Sequence, residues 1–111
     1  MSLEQTFGAL ADPTRRSVVE LLRAKPRRAS DLADELGASR PLMSKHLKIL
    51  RSSGLVETSQ EDDARFRLYS LRREQFDEMR SWLEEVEQFW NVQLKAFAEH
   101  VTKKVARDQR R

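Results

Sequence analysis

Asp31-Leu32-Ala33-Asp34-Glu35-Leu36-Gly37-Ala38-Ser39-Arg40-Pro41-Leu42-Met43-Ser44-Lys45-His46-Leu47-Lys48-Ile49-Leu50-Arg51-Ser52-Ser53-Gly54 is the stretch that decides the fold. Leu32, Ala33 and Leu36 mark a short helix, which Gly37 closes as a left-handed C-terminal residue. Ser39 is a good N-cap for the next helix, and Pro41 is tolerated in its first turn. That helix is expected to run to about Ser53, with Gly54 ending it. Two short helices joined by about three residues with Gly at the joint predict a helix-turn-helix.

At 100° per residue, Met43, Leu47 and Leu50 fall together and face the core. Pro41, Ser44, Lys45 and Lys48 fall opposite, with Leu42 at the edge and Ser39 and Arg40 at the start. No acidic residue occurs from Leu36 through Val56. A helix with an apolar back and a basic, hydroxyl-bearing front suits the DNA major groove, which admits one α-helix. Ser and Lys reach phosphates or base edges there, and Leu42 can meet a thymine methyl. His46, one residue before core Leu47, is read as a structural histidine bonded to a nearby backbone group.

Upstream, Leu3, Phe7 and Leu10 at i, i+4 and i+7 predict a first helix. Asp12-Pro13 restarts the chain as N-cap and first helical residue, and Val18, Val19, Leu21 and Leu22 face inward. Pro26 ends this second helix near Lys25. Downstream of Gly54 the period changes to two. Leu55, Val56 and Thr58 open one extended segment, and Phe66, Leu68, Tyr69 and Leu71 form another. Residues 60–64 are a polar hairpin tip without glycine, so a tight two-residue primed turn is excluded.

A single long helix is expected from about Arg73 to Lys104, roughly 45 Å at 1.5 Å per residue. Phe76, Met79, Leu83, Val86, Trp90, Leu94, Phe97 and Val101 follow a 3/4 spacing, widened by Trp82 and Phe89. So long an aromatic stripe would stay wet unless covered, which predicts a dimer interface. Its residues would be Leu3, Phe7, Trp82, Val86, Phe89, Trp90, Leu94, Phe97 and Val101. The expected architecture is mainly α with a small β-hairpin wing. It is a winged helix-turn-helix over residues 1–104, with dimerisation helices at both ends and a disordered basic tail at 105–111.

The chain's 111 residues and 35% charged content fit one domain. Residues 13–56 hold ten basic and four acidic side chains, and residues 57–102 hold six basic and eleven acidic. That asymmetry fits a polyanion-binding surface joined to a different interaction surface. Without cysteine, disulfides, thiolate metal sites and Cys nucleophiles are excluded, and a cytoplasmic location is expected. No apolar run approaches the ~18 residues of a membrane span, so no membrane partner is expected. There is no phosphate loop, nucleophile elbow or metal-ligand pair, so neither enzyme chemistry nor a cofactor is predicted.

The ordered set of motifs resembles the ArsR/SmtB-type winged-helix transcriptional regulators. It comprises Ala11-Asp12-Pro13-Thr14-Arg15-Arg16, then Asp31 to Gly37 with Ser44 to Leu50, then Gly54-Leu55-Val56 and Tyr69-Ser70-Leu71. The resemblance covers roughly residues 3–102. It implies a homodimeric, sequence-specific repressor of double-stranded operator DNA, with the third and fourth helices as reading head.

Two departures modify this. Members that sense metals near the third helix do so through Cys, whereas Arg28-Ala29-Ser30-Asp31-Leu32 has none. Members with a last-helix site use Asp and several His, whereas this helix has only His100 beside Glu99. Adjacent helical residues point about 100° apart, so those two make a poor ligand pair. The chain is therefore read as a Cys-free member that does not sense metals. Regulation would come from an organic inducer, a protein partner or the protein's own abundance. The wing tip, Glu61-Asp62-Asp63, is acidic, which leaves Arg65 and Arg67 as the wing's candidates for backbone contact. The rival reading is a winged-helix protein-interaction module that dimerises but does not read DNA.

Overall fold

A computed structural model describes residues 2–109. Helix α1 (Leu3–Leu10) opens at Ser2, whose hydroxyl accepts the Gln5 amide while the Gln5 side chain accepts the Ser2 amide in return. Helix α2 (Pro13–Ala24) opens at Asp12, whose carboxylate accepts the Arg15 amide at 3.0 Å. Helix α3 (Ala29–Leu36) ends on Gly37 at φ 62°, and helix α4 (Arg40–Ser52) is capped by the Ser39 hydroxyl on the Leu42 amide. Gly54, at φ 80°, follows α4. Both helices of the pair finish in the same way: the Ala38 amide bonds the Ala33 carbonyl and the Leu55 amide bonds the Leu50 carbonyl, each at 3.0 Å. These bonds satisfy carbonyls that the helix leaves open, and they require the left-handed residue just before them.

Strands β1 (Val56–Thr58) and β2 (Tyr69–Leu71) pair antiparallel with Val56 opposite Leu71 and Thr58 opposite Tyr69. Arg27, between α2 and α3, makes a separate antiparallel bridge to β2, exchanging two backbone bonds with Tyr69 at 2.7 and 3.0 Å. Helix α5 (Arg73–Gln109) follows.

The second strand is shorter than its alternation predicted. Phe66 and Leu68 are exposed, and residues Ala64–Phe66 form a 3-10 turn instead. Asp63 is the cause: its carboxylate takes the Arg65 amide at 3.0 Å and its carbonyl takes the Phe66 amide at 3.0 Å. A short polar side chain that bonds its own neighbours draws the backbone away from the ladder. The last helix runs five residues beyond the expected end at Lys104, so residues 105–109 of the expected tail are helical. No Pro or Gly follows Lys104 to stop it, and Lys and Arg near a helix C-terminus suit its dipole. The rest of that tail, residues 110–111, lies outside the described residues.

The chain divides into two compact units at Met79 and Arg80. The first holds the core: Val18, Val19 and Leu22 of α2, Leu32 and Ala33 of α3, Met43, Leu47 and Leu50 of α4, with Ala9, Leu55, Val56 and Met79. Burying each of the larger aliphatic chains stabilises the fold by about 1.5–3 kcal/mol. Thr6 and Ala9 are the buried residues of α1, with Leu3 and Leu10 half-buried beside them and Phe7 exposed. In the second unit the α5 segment leaves Phe89, Trp90 and Phe97 57%, 58% and 67% exposed. Phe89 and Trp90 meet edge to face at 5.9 Å.

Candidate nucleic-acid interface

The apolar residues of α4 decide where its polar ones point. Met43, Leu47 and Leu50 are buried, so Arg40, Pro41, Leu42, Ser44, Lys45 and Lys48 are turned outward, as is Ser39 at the cap. Leu42 is 47% exposed although nothing polar requires it there. Ile49 is also exposed, which the helical projection does not single out. Since the first turn of α4 holds no carboxylate, its free amides and Arg40 form a positive end.

His46 is buried and its partners are side chains, not the backbone group expected. Its Nδ1 lies 3.3 Å from Nη1 of Arg15 and 3.9 Å from the Asp12 carboxylate. A guanidinium only donates, so His46 accepts with Nδ1 and carries its proton on Nε2. Arg15 also donates Nε to the Ala9 carbonyl at 2.6 Å and Nη2 to the Gly8 carbonyl at 3.3 Å, closing the end of α1. The Arg15 amide bond holds the Asp12 carboxyl below its ordinary range, with the charge of Arg15 adding to that. Residues from α1, α2 and α4 are thus tied together directly behind the basic face.

The two wing arginines part company. Arg65 lines a cleft of about 350 Å³ with Arg28, Ala29 and Ser30 at the start of α3, and with Arg40 and Ser44 of α4. Arg67 donates to the Glu61 carbonyl at 3.2 Å and lines a different recess with Arg51, Glu61 and Asp62. Arg65 is itself engaged, with Nε and Nη2 reaching the Asp63 carboxylate at 3.1 and 2.7 Å. That bond pushes Asp63 below and Arg65 above their ordinary values.

Arg28 and Ser30 therefore stand with Arg40, Ser44 and Arg65, although nothing in the helical pattern marks them. The basic run Arg27-Arg28 before α3 is the available signal, but loop residues have no periodicity to give them a direction. Among the described residues, no three His, Asp or Glu side chains lie close enough to hold a metal ion. No helix among them is long and apolar enough to cross a membrane.

Residues 12–58 match the model of the bacterial regulatory protein arsR family. The transcriptional repressor SdpR of Bacillus subtilis is 31% identical over 81 residues, spanning 73% of this chain and 88% of that protein. Among solved structures, an ArsR-like transcriptional regulator from Rhodococcus sp. RHA1 superposes with a TM-score of 0.79 at 30% identity, over 91% of each chain. The homodimeric winged helix-turn-helix DNA-binding domain of Mb0332 from Mycobacterium bovis superposes at 0.59 and 26% identity, over 77% of each chain. The match to the family's helix-turn-helix, the 31% identity across most of a curated repressor and the shared winged fold agree, and the chain belongs to the ArsR family of bacterial transcriptional regulators.

Proposed function

We propose that the protein is a homodimeric, sequence-specific repressor that reads double-stranded operator DNA with α4 in the major groove. The observation that supports it best is the front of that helix. Arg40, Leu42, Ser44, Lys45 and Lys48 all face solvent, and no carboxylate stands between Leu36 and Val56. In this reading Ser39, Arg40 and Pro41 enter the groove first, Ser44, Lys45 and Lys48 follow, and Arg65 and Arg67 bring the wing to the backbone. Apolar residues of α1 and α5, namely the half-buried Leu3 and Val86 and the exposed Phe7, Trp82, Phe89, Trp90, Leu94, Phe97 and Val101, meet a second copy. The homodimeric Mycobacterium bovis neighbour supports this assembly. Repression in the cytoplasm, where the operator lies, follows from the same reading.

Selection of bound duplexes from a random pool tests sequence specificity and returns the half-site spacing. Lys45→Ala and Lys48→Ala should each weaken binding without unfolding the chain. The magnitude of the salt slope should fall by about 1 for each phosphate that a variant no longer neutralises. If both variants bind every duplex as tightly as the parent, α4 is not the reading helix and a protein-interaction role takes its place.

A further inference from the structure

Phe66 leaves half its surface in water on the wing's 3-10 turn, outside the core. Two guanidinium groups lie over its ring, that of Arg28 at 5.4 Å and that of Arg65 at 5.6 Å from the centroid. Each attraction is favourable at an exposed site. Together, however, they draw two like charges to one ring, and Arg40 adds a third in the lining of the same cleft. Among the described residues, Asp63 is the one carboxylate that ion-pairs with any of the three guanidinium groups, at Arg65, while the Asp31 carboxylate in the first turn of α3 takes the Arg28 backbone amide at 3.4 Å. The α3 amides beside them have no side-chain acceptor at the N-cap, because Arg28 occupies that position and can only donate. The cleft thus gathers three guanidinium groups, of which only that of Arg65 is ion-paired among the described residues.

We propose that this cleft seats one phosphodiester of the DNA backbone, gripped by Arg28, Arg40 and Arg65, and that Phe66 is the positioning residue that aims the first and last of these. The proposal rests on the DNA-binding reading above and extends it to α3 and the wing turn. Guanidinium forks match phosphate oxygens two at a time, and the Ser30 and Ser44 hydroxyls complete the lining. Ring contacts restrict the two arginines before DNA arrives, so less side-chain freedom is lost on binding. A bound phosphate then neutralises the charges that the ring and Asp63 hold together.

The test is the salt dependence of duplex binding by the full chain, with folding followed by circular dichroism. Arg28→Ala should weaken binding several-fold and lower the magnitude of the salt slope by about 1 per bound protomer. Phe66→Leu should reproduce part of that loss and Phe66→Tyr should restore it. In an Arg28→Ala/Arg65→Ala background, Phe66→Leu should change nothing further, which a merely structural ring would not do. Duplexes carrying single uncharged methylphosphonates should reveal one backbone position that matters to the parent and not to Arg28→Ala.

An unchanged slope in Arg28→Ala, with Lys45→Ala still impaired, removes the clamp and leaves the reading helix standing. Unchanged binding in both removes the DNA reading itself. Inorganic phosphate that saturates the free protein through Arg28, with no Arg28-dependent methylphosphonate position, makes the cleft a small-anion site and overturns the proposal.

Discussion

Arg65 is legible as a basic wing residue, but its two functional neighbours are not. Asp63 holds it from two residues away, and Phe66 holds it from the next position. DNA must therefore compete with a carboxylate for this guanidinium. Asp63→Asn should free Arg65 and remove a negative charge from the tip, raising duplex affinity a few-fold at low salt. The gain should shrink as salt rises, because exposed charges are screened over ~10 Å at 0.1 M. Titrations of parent and variant at two ionic strengths check this, and weaker binding by the variant would show that Asp63 orders the turn more than it blocks it. His46 teaches a related lesson. Its place at the edge of the α4 core face is readable, whereas its partners, Arg15 and Asp12, lie more than thirty residues away in sequence.

The helices read well at the scale of elements, because their signals are local. Asp12, Ser39, Gly37 and Gly54 each act on backbone groups within a few positions, and each stands where the caps and breaks occur. Gly37→Ala meets no atom within 4 Å, so its cost is that of the left-handed backbone alone. It should destabilise the fold by about 1–2 kcal/mol, seen as a lowered thermal midpoint. Gly8→Ala, in helical backbone and equally open space, should instead stabilise by about 0.4–1 kcal/mol. Equal effects at the two sites would show that the sign is not set by φ. The wing reads less well. Alternation in Phe66 to Leu71 suits a strand, yet Asp63 turns the first part into a 3-10 turn and leaves Phe66 for the arginines.

The whole molecule is expected to assemble in pairs. Trp90 and Phe97 are more than half exposed, as residues awaiting a second copy would be. Burying and then truncating such a side chain typically costs ~3–5 kcal/mol. Trp90→Ala or Phe97→Ala should therefore shift the protein to monomer in sedimentation, with DNA affinity falling because two half-sites ~34 Å apart need two reading heads. A monomeric parent at micromolar concentration would overturn the homodimer. Metal control is not expected, since soft metals and metalloids want thiolates and the chain has no cysteine and only two histidines. DNA binding should be unchanged by micromolar zinc, copper, nickel, cadmium or arsenite. A stoichiometric zinc or nickel signal in calorimetry, lost in His100→Ala and coupled to operator release, would reverse that expectation.

By itself the sequence determined the order of helices and wing, the inward and outward faces of α4, and the family that those motifs share. Caps, breaks and periodicity act over a few residues, and the chain states them directly. Only the tertiary structure decided that Arg28 and Ser30 join Arg40, Ser44 and Arg65 in one cleft, that Arg67 turns to another, and that Phe66 serves the arginines. Those residues come from a loop, two helix starts and a short turn. Their meeting depends on how α3, α4 and the hairpin pack on Leu32, Met43, Leu47 and Leu55, and no local rule reports that packing.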